Sequence, residues 1–213
     1  SKAVPDLLSL MKTLIAGKRG NYLVFFPSYA FLDDVRTAFE AAYPDKALHC
    51  QTRDMSDDAV KAFTDGFTEN SERLGFAVMG GRFAEGIDLK GQRLSGAMII
   101  SLGLAPKTLA QDALLRRMHS QPAAGAEVEP RPTQVNGYDV AYRIPALQRV
   151  IQTGGRVIRS ENDHGIVLLV DPRFNAPDNQ TYLPEHWQTK IIQSTQELEA
   201  NLQTFWQSGA DSA

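Results

Sequence analysis

The sequence predicts an α/β domain, with a mostly parallel sheet covered by helices on both faces. Three features carry that prediction. The candidate strands are continuous apolar runs rather than alternating ones, as strands buried on both faces must be. They alternate along the chain with segments of helical periodicity. The polar and glycine-rich loops follow the strands, where ligands of open parallel sheets bind.

Val4 to Ala16 places Leu7, Leu8, Met11, Leu14 and Ile15 at helical spacing, and Gly17 and Gly20 close it. Tyr22-Leu23-Val24-Phe25-Phe26 predicts the first strand, ended by Pro27-Ser28. Tyr29 to Tyr43 predicts an amphipathic helix on Phe31, Leu32, Val35 and Phe39, stopped at Pro44. Ala47 to Gln51 is a weak second strand. Ser56-Asp57-Asp58 supplies a cap and first-turn acids for a helix carrying Val60, Phe63 and Phe67. Leu74 to Met79 is the third strand and Gly96 to Ser101 the fourth. Leu109 to Met118 predicts a helix, and His119 to Gly137, rich in Pro, Ala and Gly, a loop or insertion. A helix rich in arginine starts near Tyr138 or after Pro145. Gly165 to Val170 is the last clear strand, and a final helix runs from about Gln193 to Trp206.

A chain of 213 residues suits one large domain or two small ones and can bury a sizeable core. The net charge of -3 argues against a protein that coats nucleic acid non-specifically, while leaving room for a local basic groove. The single cysteine, Cys50, excludes an internal disulfide framework, a four-cysteine zinc site and an iron–sulfur cluster within this chain. It fits a reducing, cytoplasmic compartment and predicts a buried thiol on a strand. No apolar run reaches the length of a membrane span, and no signal peptide opens the chain. The absence of an initiator Met and a start within a helix-like segment predict a piece of a longer protein.

The stretch Leu147 to Arg159, LQRVIQTGGRVIR, carries most of the chemistry. On a helix advancing roughly 100° per residue, Gln148, Arg149, Gln152, Arg156 and Arg159 share one face. Leu147, Ile151, Gly154 and Ile158 fall opposite. Gly154 and Gly155 cost the helix about 1 kcal/mol each against alanine, so they make sense where backbone or ligand must approach closely. Guanidinium groups stay charged and match phosphate oxygens, so Arg156 and Arg159 suit a polyphosphate that develops charge in phosphoryl transfer. A surface helix whose arginines pair with nearby acids is the plain alternative.

Gly80 to Asp88 follows the third strand directly. Gly80, Gly81 and Gly86 let backbone N–H groups turn toward a ligand, and Glu85 and Asp88 offer acceptors to ribose hydroxyls, an arginine or a water. A tight connection with a capped helix start is the bland alternative. Gly103 to Thr108 ends in Lys-Thr like a phosphate loop, but it lacks the glycine before Lys107, and Pro106 removes a backbone donor. Arginines for a phosphate without a cradle to hold one make half of an ATP site.

These segments carry a resemblance. Gly80-Gly81-Arg82-Phe83-Ala84-Glu85-Gly86-Ile87-Asp88 resembles motif V of the XPD/DinG family of superfamily-two DNA helicases. Gln152-Thr153-Gly154-Gly155-Arg156-Val157-Ile158-Arg159 resembles motif VI, QxxGRxxR. Asn162-Asp163-His164-Gly165, the strand Ile166 to Val170 and Asp171-Pro172-Arg173-Phe174 are similar to the acid, glycine, strand and D-x-R-F that follow in the family. Leu23 to Tyr29 is similar to the motif IV region. Gly137 to Arg143 and Leu183 to Trp187 resemble the bacterial DinG-like branch. The likeness spans about Gly20 to Trp187.

The resemblance implies a RecA-like three-layer fold and the second, C-terminal motor domain of a 5′–3′ DNA helicase. Residues 1–213 would form a single domain, with 119–137 as a loop or insertion and 176–213 as a C-terminal extension. ATP and Mg2+ would sit in a cleft shared with a first RecA-like domain. That domain would hold the phosphate loop, the Mg-binding acids and, in many members, a four-cysteine iron–sulfur cluster. Arg156 and Arg159 would act as arginine fingers, together contributing about 10³–10⁵ in rate. Gln152 would position the water or γ-phosphate. Asp88, with Glu85 beside it, would contact the ribose or link ATP to the DNA site, and Gly86 and Gly155 would line the ATP site. Ser28, Tyr29, Gly81 and Arg82 would lie near single-stranded DNA. Thr153 and Gly154 stand where relatives carry other small residues and are expected to carry no role. The chain alone is expected to hydrolyse no ATP.

Two other classes stay open at this point: a catalytically silent nucleotide- or DNA-binding scaffold module of a repair complex, and a small-molecule transferase with a Rossmann-like sheet. Leu198, Leu202, Phe205 and Trp206 on one face of the final helix are either core packing or a docking site for a replication or repair partner.

Overall fold

The computed structural model describes residues 3–80, 82–83, 93–102, 138–157 and 164–210. The expected helix Leu109 to Met118, the Gly103 to Thr108 segment and the 119–137 insertion lie outside the described residues.

Among the described residues five strands form one all-parallel sheet: β1 (Tyr22–Phe26), β2 (Leu48–Cys50), β3 (Leu74–Val78), β4 (Gly96–Ile100) and β5 (Ile166–Val170), in the order β2-β3-β1-β4-β5. Among the described residues the longer helices are α1 (Val4–Gly17), α2 (Tyr29–Ala42), α3 (Asp57–Asp65), α4 (Ile144–Gly154) and α5 (Thr195–Ala210), with a π-helical turn at Asp139–Arg143 leading into α4 and two short helical turns, Pro172–Asn175 and Pro177–Gln180, after β5. The sheet is the RecA-like α/β fold that the sequence predicts. Its ends differ from the expected ones by a few residues. Phe67, for instance, lies beyond α3 yet is fully buried against Phe63, their ring centroids 5.2 Å apart.

Alternate residues of each strand serve opposite layers, which is why continuous apolar runs are needed. Leu23, Phe25, Ala77, Ala97 and Ile99 face a core closed by Phe63 of α3 and by Ala146, Leu147 and Val150 of α4. Tyr22, Val24, Phe26, Phe76, Val78 and Met98 face the other core, closed by α1, α2 and α5. Leu198 and Leu202 of α5 are buried there, with Leu202 against Gly17 of α1, so that apolar face is core packing. Trp206 is partly buried with the Lys18 ammonium 4.2 Å from its ring centroid.

The register sets the loops. Phe26 pairs with Val78, Phe25 with Ile99 and Ile100 with Val170, so β1, β3, β4 and β5 end nearly level. The segments that follow emerge on one rim: Pro27 to Tyr29, Met79-Gly80, Ser101-Leu102 and Asp171 to Arg173. Gln51 and Arg53, just past β2, join them.

Helix α4 runs back across the sheet. Its start lies near the carboxyl rim, where Arg143 meets Asp178 at 3.4 Å. Its end lies at the opposite side, where Gly154 packs on Val167 and Val157 on Gly165, the residue before β5. A helix that connects two parallel strands must run antiparallel to them. Gln152 and Arg156 therefore sit away from the rim that holds Ser28, Tyr29 and Gly80.

Candidate functional site

On the carboxyl rim, Ser28 caps α2, its hydroxyl oxygen accepting from the Phe31 N–H at 3.3 Å. Tyr29, in the first turn, leans back over the rim. Its hydroxyl accepts from the Gln51 side-chain amide at 2.7 Å, and the Arg53 guanidinium lies 4.7 Å from its ring centroid. Gly80 has φ +71, a left-handed turn that glycine adopts without strain, and it lies beside the Arg149 side chain. The chain therefore bends sharply where motif V begins. Arg82 donates to the Met55 carbonyl at 2.9 Å and pairs with Asp57 at the start of α3. Its guanidinium is thus tied to α3, not extended freely over the rim.

At the far end of α4 the structure corrects two expectations. The helix stops at Gly154 with Gly155 as its cap, so Arg156 sits in a turn. The Arg156 N–H donates to the Thr153 carbonyl at 3.2 Å. The helical layout therefore does not reach Arg156. The buried stripe is Ala146, Leu147, Val150, Thr153 and Gly154, whereas Ile151 is half-exposed. Gln148 and Gln152 are exposed, and Arg149 and Arg156 half-buried, as a polar face requires.

Thr153 and Gly154 also carry more than expected. Thr153 is fully buried, its hydroxyl donating to the Arg149 carbonyl at 2.7 Å. Gly154 lies against the Trp187 indole; a Cβ there would sit 2.8 Å from Trp187 Cζ2. Small size at this position lets the helix end seat on Trp187, which fixes where Gln152 and Arg156 emerge.

A third cluster follows β4 and β5. Ser101 has φ +70, an uncommon conformation for a residue with a side chain. The Arg173 guanidinium holds it, donating to Ser101 Oγ at 3.0 Å and to both Asp171 carboxylate oxygens at 2.8 and 2.6 Å. Burial alone would raise the Asp171 pKa, but the hydrogen bonds and charge of Arg173, with the Ser101 hydroxyl, outweigh it and hold the carboxyl below its usual range. A depressed carboxylate contributes stability above the unfolded pKa and loses it as pH falls through the folded value. Asp171→Asn is therefore expected to lower stability at neutral pH, with the gap to wild type closing below about pH 4. Urea unfolding across pH checks this, and a gap that does not change with pH counts against it. Beside this cluster Tyr138, exposed at 44%, stacks on buried Tyr142 with centroids 5.4 Å apart.

Of the residues singled out in the sequence, Ser28, Tyr29 and Arg82 share the carboxyl rim, and Gln152, Gly155 and Arg156 share the end of α4. Gly81, Glu85, Gly86, Asp88 and Arg159 lie outside the described residues. The thiol of Cys50 is half-buried on β2, and burial pushes its pKa up to about 12. Gln51, Arg53 and Tyr138 are brought to these clusters by the fold and belong to no site motif of the sequence. Gln51 and Arg53 carry one sequence signal, polar side chains placed immediately after an apolar strand on the ligand side of a parallel sheet. Among the described residues no helix is long and apolar enough to cross a membrane.

Residues 11–190 match the helicase C-terminal domain family. The chain belongs to that family. It is 26% identical to the ATP-dependent DNA helicase chl1 of Aspergillus clavatus, over 91% of this chain and 29% of that protein. It is 29% identical to the probable ATP-dependent helicase MJ0942 of Methanocaldococcus jannaschii, over 81% of this chain and 26% of that protein. An apo XPD structure matches 82% of the chain, and 33% of its own, with a TM-score of 0.60 and 25% identity. The helicase domain is thus of the XPD/DinG type, and the chain spans less than a third of the curated relatives it matches.

Proposed function

We propose that this helicase domain is the second motor domain of an ATP-dependent, 5′–3′ DNA helicase. It supplies arginine fingers to an ATP site shared with a first RecA-like domain, and it forms part of the single-strand track. One observation carries the reading: Thr153 and Gly154 lock the end of α4 onto the sheet and Trp187, and that fixed end carries exposed Gln152 and half-buried Arg156. A guanidinium and an amide held this way suit phosphate oxygens, not a metal ion.

Arg156, with Arg159 following it, stabilises charge on the γ-phosphate, and Gln152 orients the attacking water or that phosphate. Gly155 and, in motif V, Glu85, Gly86 and Asp88 line the nucleotide side. ATP with Mg2+, held mainly by the first domain, supplies the transferable phosphoryl group. Any iron–sulfur cluster also belongs to that other part of the protein. Ser28 and Tyr29 on the carboxyl rim meet the DNA backbone together with Gly81 and, on release from Asp57, Arg82, and the exposed Tyr138 ring offers a face to an unpaired base. Arg156 and the Ser28–Tyr29 rim lie at opposite ends of α4, so closure on ATP would move the rim as a rigid body. The cytoplasm is the compartment this reading implies.

Two assays test it. The 213-residue chain alone is expected to bind single-stranded DNA but hydrolyse no ATP, since half of the site is elsewhere. The full-length helicase is expected to unwind a duplex with a 5′ overhang and to leave one with a 3′ overhang intact. Robust turnover by the isolated chain that depends on Arg156, or unwinding from 3′ overhangs, overturns the reading. A full-length protein that binds DNA without any turnover would favour the scaffold module of a repair complex.

A further inference from the structure

We infer that Gln51 is a positioning residue for single-strand binding. It turns the Tyr29 hydroxyl outward as a hydrogen-bond donor to a backbone phosphate, beneath the Arg53 guanidinium on the same ring. This rests on the proposed placement of Ser28 and Tyr29 on the DNA track.

The polarity follows from what each group can do. Gln51 sits one residue past β2 and is only 4% exposed. Its backbone N–H extends the ladder to the Phe76 carbonyl at 2.8 Å. Its side-chain oxygen accepts from the Val78 N–H at 2.8 Å. A peptide N–H can only donate, so the amide oxygen must face Val78 and the NH2 group must face Tyr29. An NH2 group can only donate in turn, so the Tyr29 oxygen, 2.7 Å away, accepts. The phenol proton is then excluded from the interior and points away from Gln51.

Phosphodiester oxygens accept and cannot donate, so they are the partner that an outward phenol and a neighbouring guanidinium jointly suit. The Arg53 guanidinium, 4.7 Å above the ring, supplies the counter-charge. Val78 is the last residue of β3, before the motif V turn at Gly80. One buried amide therefore ties the motif IV side chain to the strand end that launches motif V.

The test is binding of labelled oligothymidylate to the full chain carrying Tyr29→Phe, Gln51→Glu or both. A glutamate at position 51 still accepts from the Val78 N–H, but it can only accept from Tyr29, so the phenol proton must turn inward. Each single change is expected to weaken binding about tenfold, the loss of one hydrogen bond to a charged group, and the double variant to be no weaker than either. If Gln51→Glu weakens binding further in the Tyr29→Phe background, Gln51 acts through charge or folding and the inference fails. If Tyr29→Phe binds as wild type does, the DNA-track placement itself fails.

The tyrosine doublet in the Raman spectrum reports the same polarity without DNA. The difference between wild type and Tyr29→Phe isolates Tyr29, and it should carry the signature of a phenol that accepts a hydrogen bond. The signature of a phenol that only donates overturns the inference, even if Gln51→Glu does not fold.

Discussion

Replacing Arg156 with alanine is expected to lower DNA-stimulated ATP turnover of the full-length helicase by about 10³-fold or more, with ATP affinity nearly unchanged. The reason is where the charge is needed. A guanidinium that meets the γ-phosphate chiefly as charge develops lowers the barrier and adds little to ground-state binding. Arg156 is half-buried in the turn after α4, and its backbone bond to Thr153 fixes where its side chain starts. Arg156→Lys keeps the charge but loses the planar fork and should recover only part of the rate. Steady-state kinetics with and without single-stranded DNA, beside ATP binding and a thermal melt, separate the outcomes. Turnover that survives in Arg156→Ala would make this arginine structural.

Gly154→Val is expected to lower both stability and turnover. The first added carbon already meets the Trp187 ring, and Val167 flanks it at 3.3 Å. Overpacking of a filled core costs about 1–3 kcal/mol and forces the helix end away from the sheet. Because Gln152 and Arg156 leave from that end, a shift of about 1 Å would reduce turnover by about 10² on top of the lost stability. Urea unfolding gives the first quantity, and ATPase activity of the folded fraction the second. Adding Trp187→Leu should restore part of both by opening space. If Gly154→Val melts and turns over like wild type, the close approach carries no weight.

Much of this protein is legible in its sequence. The apolar runs at β1, β3, β4 and β5 dictate a sheet buried on both faces, and Ser56 starts α3 where its hydroxyl promised a cap. Gly80 adopts the left-handed turn that glycines after a strand suggest. These features are local: a side chain's polarity, a hydroxyl's reach to the third N–H, a glycine's freedom. The same holds for the polar face of α4, whose exposed Gln148 and Gln152 follow from helical spacing alone.

Contacts between distant residues were not legible. Nothing near Gly154 in sequence announces Trp187, so the sequence gives its small size no role, and helical projection carries Arg156 past a helix end that Gly155 caps. Gln51 shows no motif. Its meaning arises only when β2 lies beside β3 and the first turn of α2 brings Tyr29 over the strand ends. The split between Arg156 at one end of α4 and the Ser28–Tyr29 rim at the other likewise follows from the helix running antiparallel to the strands it covers. Local propensity thus determined the elements, their faces and the candidate chemistry. Tertiary packing alone decided which of those groups meet, because a buried hydrogen bond or a close contact depends on strand order and register, which no single segment encodes.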